Sequence, residues 1–290
     1  MKLDKDTKIL IVGLGLLGGS YAKALTKKGF TVTAITRSQS SVDYALSEGM
    51  ITEGRAEPDP GLIGRADLIV FALYPHVFVE WIENYGKYIK PGTVITDVTG
   101  VKGCIVYKIQ EMLPEGVEFI AAHPMAGREV YGVRNSDDSI FRDANYIVTP
   151  TERNTPEAVR LCKDLGHTLG FAHVAELSPE KHDDMIAYLS QLTHCIAVSL
   201  MTCSDVPKLK EYTGDSFRDL TRIARINEDM WSELFLLNKK SLISMVDEFS
   251  GELYRMRTYI ADDNVEKLKE MMRMSTERRA AFDKTKMQEN

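Results

Sequence analysis

The sequence predicts an α/β domain with a doubly wound, mostly parallel sheet, followed by a smaller all-α domain. Three observations predict it. Short apolar runs alternate with helical patterns over residues 1–177, a glycine-rich turn joins the first run to the first helix, and strand signals nearly vanish after Leu177. The chain has 290 residues, enough for two domains, and its composition of 44% hydrophobic and 27% charged residues excludes the disordered and fibrous classes. A net charge of -6 with no long basic run argues against a nucleic-acid partner. No stretch reads as a membrane span and the charged start, residues 1–8, has no secretory h-region, so a cytoplasmic protein without a membrane partner is expected. Cys104, Cys162, Cys195 and Cys203 have neither CxxC nor zinc-type spacing. They read as buried free thiols in a reducing compartment, and no metal site is expected.

The elements follow in order. Strands are expected at 9–12, 31–35, 66–73, 93–97, 118–122, 145–148 and 172–175, and helices at 17–28, 40–47, 77–89, 104–112 and 155–169. Pro179, suited to a first helical turn, opens a helix reaching about residue 201. Further helices are expected near 217–226, 229–256 and 264–284. The domain boundary therefore falls between a dinucleotide-binding domain at 1–177 and a helical domain at 178–290 that offers substrate contacts and a dimer interface.

Gly13-Leu14-Gly15-Leu16-Leu17-Gly18 lies directly after a strand and before a helix. In such a loop the first glycine permits the tight turn, the second lets backbone approach a pyrophosphate, and the third lets helix and strand pack closely. The free N–H groups at the helix start, around Leu16 and Leu17, favour phosphate. A tight turn without a ligand is the plainer alternative, but the flanking strands and helix supply the context of a Rossmann-type nucleotide fold. At the end of the second strand, where NAD-binding chains carry Asp or Glu, this chain has Thr36-Arg37-Ser38. Arg37 can pair with a 2′-phosphate and its neighbours can donate to one, which favours NADP over NAD; the alternative is an ordinary solvated arginine.

His123 follows the strand expected at 118–122, where ligands of open α/β sheets lie, and can serve as a general base or as a structural strand-end residue. Asp183, Ser190, Gln191 and His194 share one face of an otherwise apolar helix, so they bond between helices or meet a ligand. Arg218, Arg222 and Arg225 share another face, with Asp219 three residues before Arg222. That face is either solvated or holds a carboxylate.

Together the GLGLLGGS loop, TDVTGVKG (96–103), HPMAGRE (123–129), SPEKHD (178–183), SQLTH (190–194) and DLTRIA (219–224), with Trp231 downstream, resemble the prephenate/arogenate dehydrogenase family. The resemblance runs from Ile9 to about Asn238. It implies NADP-dependent oxidative decarboxylation of prephenate, a dicarboxylate, to 4-hydroxyphenylpyruvate in tyrosine biosynthesis, by a Rossmann domain joined to a helical dimerisation domain. By that resemblance His123 accepts the hydroxyl proton, His194 positions the substrate, Arg222 binds a carboxylate, His182 lies near the nicotinamide or ring, and Glu129 and Asp219 orient Arg222. Two departures stand out: Gly100 where the family often has serine, leaving Thr99 or water to replace a hydrogen bond to His123, and Gln191 where a histidine is common. No further regulatory domain is expected. Arogenate dehydrogenase, a β-hydroxyacid dehydrogenase and a non-catalytic NADP sensor are the competing readings. The helix from His182 to Met201 lacks the catalytic lysine the second needs, and a sensor has no use for His123 with an arginine cluster.

Overall fold

The computed structural model describes residues 2–128 and 130–281; the call on Glu129 and the last residues of the helix expected at 264–284 lie outside them. The chain forms two compact units, Met1–Leu242 and Ile243–Asn290. The first begins with β1 (Lys8–Val12), α1 (Leu16–Lys27), β2 (Thr31–Ile35), α2 (Gln39–Ser47), β3 (Glu53–Arg55), α3 (Pro60–Arg65), β4 (Leu68–Phe71), α4 (Pro75–Tyr85), β5 (Val94–Asp97), α5 (Val106–Met112) and β6 (Glu118–Phe119). These six strands make one parallel sheet in the order β3-β2-β1-β4-β5-β6. Alternate residues of the central strands feed opposite cores. Ile9, Ile11, Val32 and Val70 pack with Tyr21 and Leu25 of α1 on one face, whereas Leu10, Val12, Ile69 and Phe71 pack with Phe78 of α4 and Ile109 of α5 on the other. The expected doubly wound Rossmann-type sheet is therefore present. Strand order reverses between β1 and β4, and that reversal opens the crevice where ligands bind in such sheets.

β3 and α3 are absent from the sequence reading. β3 is three residues with no apolar run, and α3 contains proline and two glycines. The helix forms because the Asp59 carboxylate accepts from Leu62 N at 2.8 Å, with Pro60 in the first turn. The strand expected at 118–122 also divides. β6 stays with β5, but β7 (Ala121–Pro124) leaves the main sheet and joins β8 (Asn145–Thr149) and β9 (His173–Glu176) in a second sheet, antiparallel to β8, with α6 (Pro156–Leu169) between the last two strands. His123 thus lies within a strand, opposite Ile147, rather than beyond one.

The helical remainder opens with α7 (Pro179–Ile186), capped by Ser178, whose hydroxyl accepts from Lys181 N. A π-helical turn (Ala187–Gln191) joins α7 to α8 (Leu192–Thr202). α9 (Leu209–Tyr212), α10 (Asp215–Thr221), a 3-10 turn (Arg222–Ala224) and α11 (Glu228–Leu237) follow. The helix expected at 229–256 breaks at Asn238 into α11 and α12 (Lys239–Ala261). The buried Asn238 amide turns inward there and donates to Asp183 O and Gln191 Oε1. The second unit holds most of α12 and α13 (Val265–Ala280), whose Asn264 cap accepts from Lys267 N.

Two expectations need correction. The run Pro179–Thr202 is, by length and composition, apolar enough to cross a membrane, although the sequence reading found no such stretch; polar residues spaced along it obscured its high mean hydropathy. Only Cys162 is buried: Cys195 is half-buried, and Cys104, in the turn before α5, and Cys203, at the end of α8, are exposed.

Candidate active site

Gly13 adopts φ +99°, and a Cβ there would meet Ala72 O at 2.4 Å. A Cβ on Gly18 would meet Gly13 O at 1.9 Å, so helix and loop touch backbone to backbone. Gly15, by contrast, has open space where a Cβ would sit. It caps α1 with no side-chain bond to the first-turn N–H groups and no acidic residue in that turn. The loop therefore has the shape and free donors that a pyrophosphate needs. Gly13 N donates to Ile35 O at 2.8 Å, which sets the end of β2, and so Thr36, Arg37 and Ser38, beside the loop. Arg37 is exposed, whereas the Ser38 hydroxyl accepts from Ser41 N and so caps α2.

One cavity of about 580 Å³ runs from this loop past the ends of β4 and β5 to the helical wall. Leu16, Leu17, Thr99, Gly100, His123, Gln191 and His194 all line it, together with Arg128 and Arg225. The His194 ring stacks on Trp231, with centroids 3.6 Å apart and planes at 30°, and its Nδ1 lies 2.9 Å from Ser190 O. Gln191 donates to Leu234 O at 2.9 Å. Asp183 and Gln191 would sit ~80° apart in an uninterrupted helix; the extra residue of the π turn brings them to within ~20°.

Behind His123 lies a buried polar network. His123 Nδ1 is 2.9 Å from His182 Nε2, and His182 Nδ1 is 2.8 Å from Asp183 Oδ1. Burial pushes the His123 imidazole well below the ordinary histidine range, helped by His182 and by the Lys102 cation. Burial also lowers His182, against the upward pull of Asp183. Lys102 is wholly buried; its ammonium donates to Asp97 Oδ2 and Ala122 O at 2.6 Å each. Asp97 in turn accepts from Ala122 N at 3.0 Å and from the Thr99 hydroxyl. These bonds tie β5 to the residue before His123.

Some sequence-named residues stand apart. Arg222 and Asp219 are exposed and do not line the cavity, while Arg225, named only within the cluster, does. His182 lies behind His123 rather than on the cavity wall. Thr99 cannot readily replace a serine at position 100, since its hydroxyl is committed to Asp97 and Val101 O. A Cβ at Gly100 would lie 3.9 Å from His123 Cε1, so a serine fits there sterically. Sequence reasoning missed Asp97, Lys102 and Asn238. The signal for the first two was two opposite charges flanking a run of apolar and small residues, which must pair if buried.

The fold and this cavity define a two-part nucleotide-binding dehydrogenase. The family model for the prephenate dehydrogenase nucleotide-binding domain matches residues 21–175, and that for the prephenate dehydrogenase dimerization domain matches residues 178–274. Prephenate dehydrogenase of Bacillus subtilis is 33% identical over 92% of this chain and 74% of its own length. Cyclohexadienyl dehydrogenase of Zymomonas mobilis is 28% identical over 94% of this chain and 95% of its own. The crystal structure of prephenate dehydrogenase from Aquifex aeolicus, in complex with hydroxyphenyl propionate and NAD+, superposes with a TM-score of 0.88 at 28% identity, covering 98% of this chain and 100% of that one. The chain belongs to the prephenate dehydrogenase family, whose members are oxidoreductases.

Proposed function

We propose that the chain catalyses NADP-dependent oxidative decarboxylation of prephenate to 4-hydroxyphenylpyruvate, as a cytoplasmic homodimer in tyrosine biosynthesis. Residues 1–177 hold the cofactor, and residues 178–290 supply substrate contacts and the face that meets a second copy. The observation that carries the reading is that a single cavity joins the glycine loop, His123 and the His194–Trp231 wall. Bound nicotinamide supplies a hydride acceptor. His123 takes the substrate hydroxyl proton, its neutral state favoured by burial. His194, held flat on Trp231, orients the ring, and Arg222 pairs with a carboxylate, with Glu129 and Asp219 orienting it. Arg37 holds the 2′-phosphate.

Prephenate is favoured over arogenate because none of the described cavity-lining residues is acidic, so none pairs with the amine of arogenate. A homodimer is supported by exposed Tyr188, Leu189, Leu220 and Leu236, each more than half accessible within one chain. Absorbance at the reduced-nicotinamide band, with prephenate or arogenate and NADP or NAD, tests the reading. The fastest turnover is expected with prephenate and NADP; no turnover with either substrate refutes it. His123→Ala should lower kcat by ~10²–10⁴-fold while cofactor binding persists, the usual share of a general base.

A further inference from the structure

His182 uses both ring nitrogens away from the cavity, toward His123 and toward Asp183. Asp183 Oδ1 also accepts from Lys102 N at 2.8 Å, and Oδ2 accepts from Gly103 N at 2.8 Å. A carboxyl that receives N–H donors on both oxygens serves there as an acceptor only. The proton positions along the chain then follow by exclusion. His182 must carry its proton on Nδ1 to donate to Asp183, which leaves its Nε2 as a lone pair. His123 must therefore carry its proton on Nδ1 to donate to His182, which leaves its own Nε2 as the basic nitrogen.

We propose that Asp183 and His182 are positioning residues that lock His123 in the Nδ1–H tautomer, so that Nε2 presents its lone pair to the substrate hydroxyl. This rests on the oxidation reading above. In the step itself the substrate O–H bond breaks and an N–H bond forms at His123 Nε2. The imidazolium charge is then stabilised through His182 by the Asp183 carboxylate, with no further proton transfer required. The other charged groups that act on the two rings are Lys102 and Asp97. Lys102 opposes a second positive charge there, and its pairing with Asp97 leaves Asp183 as the counter-charge for the histidines.

Asp183→Asn and a pair of His182 variants test this. In Ser-His-Asp triads the matching asparagine change leaves geometry intact and lowers kcat by ~10⁴ through the wrong tautomer. Here Asp183→Asn should lower kcat by at least ~10²-fold, leave KM and cofactor Kd within about twofold, and move the acid limb of the kcat profile. Nitrogen-15 spectra of the histidines should show His123 protonated at Nδ1 in the parent chain and reversed or mixed in Asp183→Asn. His182→Gln keeps an acceptor for His123 and should retain both the tautomer and more activity than His182→Leu, which carries the test if Asp183→Asn does not fold. A parent His123 protonated at Nε2, or equal activity in His182→Gln and His182→Leu, overturns the proposal. The spectra need no substrate, so failure to oxidise prephenate or arogenate removes only the oxidation reading.

Discussion

Lys102 and Asp97 form an ion pair 2.6 Å long in which neither side chain touches solvent. Lys102→Met leaves the Asp97 charge buried and alone, which should destabilise the chain by ~3–5 kcal/mol, read as a lower urea midpoint. The double variant Lys102→Met, Asp97→Leu should not recover, because Ala122 N and Thr99 N then lose their acceptor. Recovery to parental stability would show that those two bonds are dispensable.

The buried histidines make a prediction for acid. His123 and His182 titrate below their ordinary range when folded, against about 6.5 in the unfolded chain. Below pH 6.5 the unfolded state therefore binds more protons, so the stability they contribute is complete above that pH and is lost as pH falls toward the folded values. Between about pH 6.5 and 5 the urea midpoint should fall, and the slope should be shallower in His182→Gln. The lowered carboxyls of Asp59, Asp67 and Asp137 lose their contribution only at more acidic pH, which separates the two effects. A flat midpoint across the window contradicts the assignment.

Carboxylate binding separates two arginines. Arg222→Ala should raise KM for prephenate by ~10–100-fold with a smaller change in kcat, the cost of one charged hydrogen-bonded contact. A KM rise confined to Arg225→Ala transfers the carboxylate to the arginine that lines the cavity.

The proposed NADP preference rests on Arg37, which is exposed just past the end of β2. Arg37→Asp should lower kcat/KM with NADP by ~10-fold or more and leave NAD little changed, since a carboxylate repels the 2′-phosphate and suits a ribose hydroxyl. A parent chain that already prefers NAD rules out the role given to Arg37.

Local chemistry made much of this molecule legible from its residues. Gly13, Gly15 and Gly18 obey steric rules that act over a few residues, so their roles could be assigned before any coordinates. The alternation of buried runs with amphipathic helices likewise predicted the parallel sheet and its two cores. The departure of β7 into a second sheet was not legible, because its run is as apolar as a main-sheet strand and only pairing with β8 distinguishes it. The break at Asn238 was hidden for a similar reason: its amide is drawn inward by Asp183 and Gln191, distant in sequence.

The sequence by itself determined the glycine loop and the fold class, since each depends on short-range periodicity or sterics. Only the tertiary structure decided that His182 stands behind His123, that Lys102 is buried against Asp97, and that Arg225 rather than Arg222 lines the cavity. The physical reason is that a buried polar group must find its partner across the fold, and which partner it finds depends on backbone positions that no local pattern encodes.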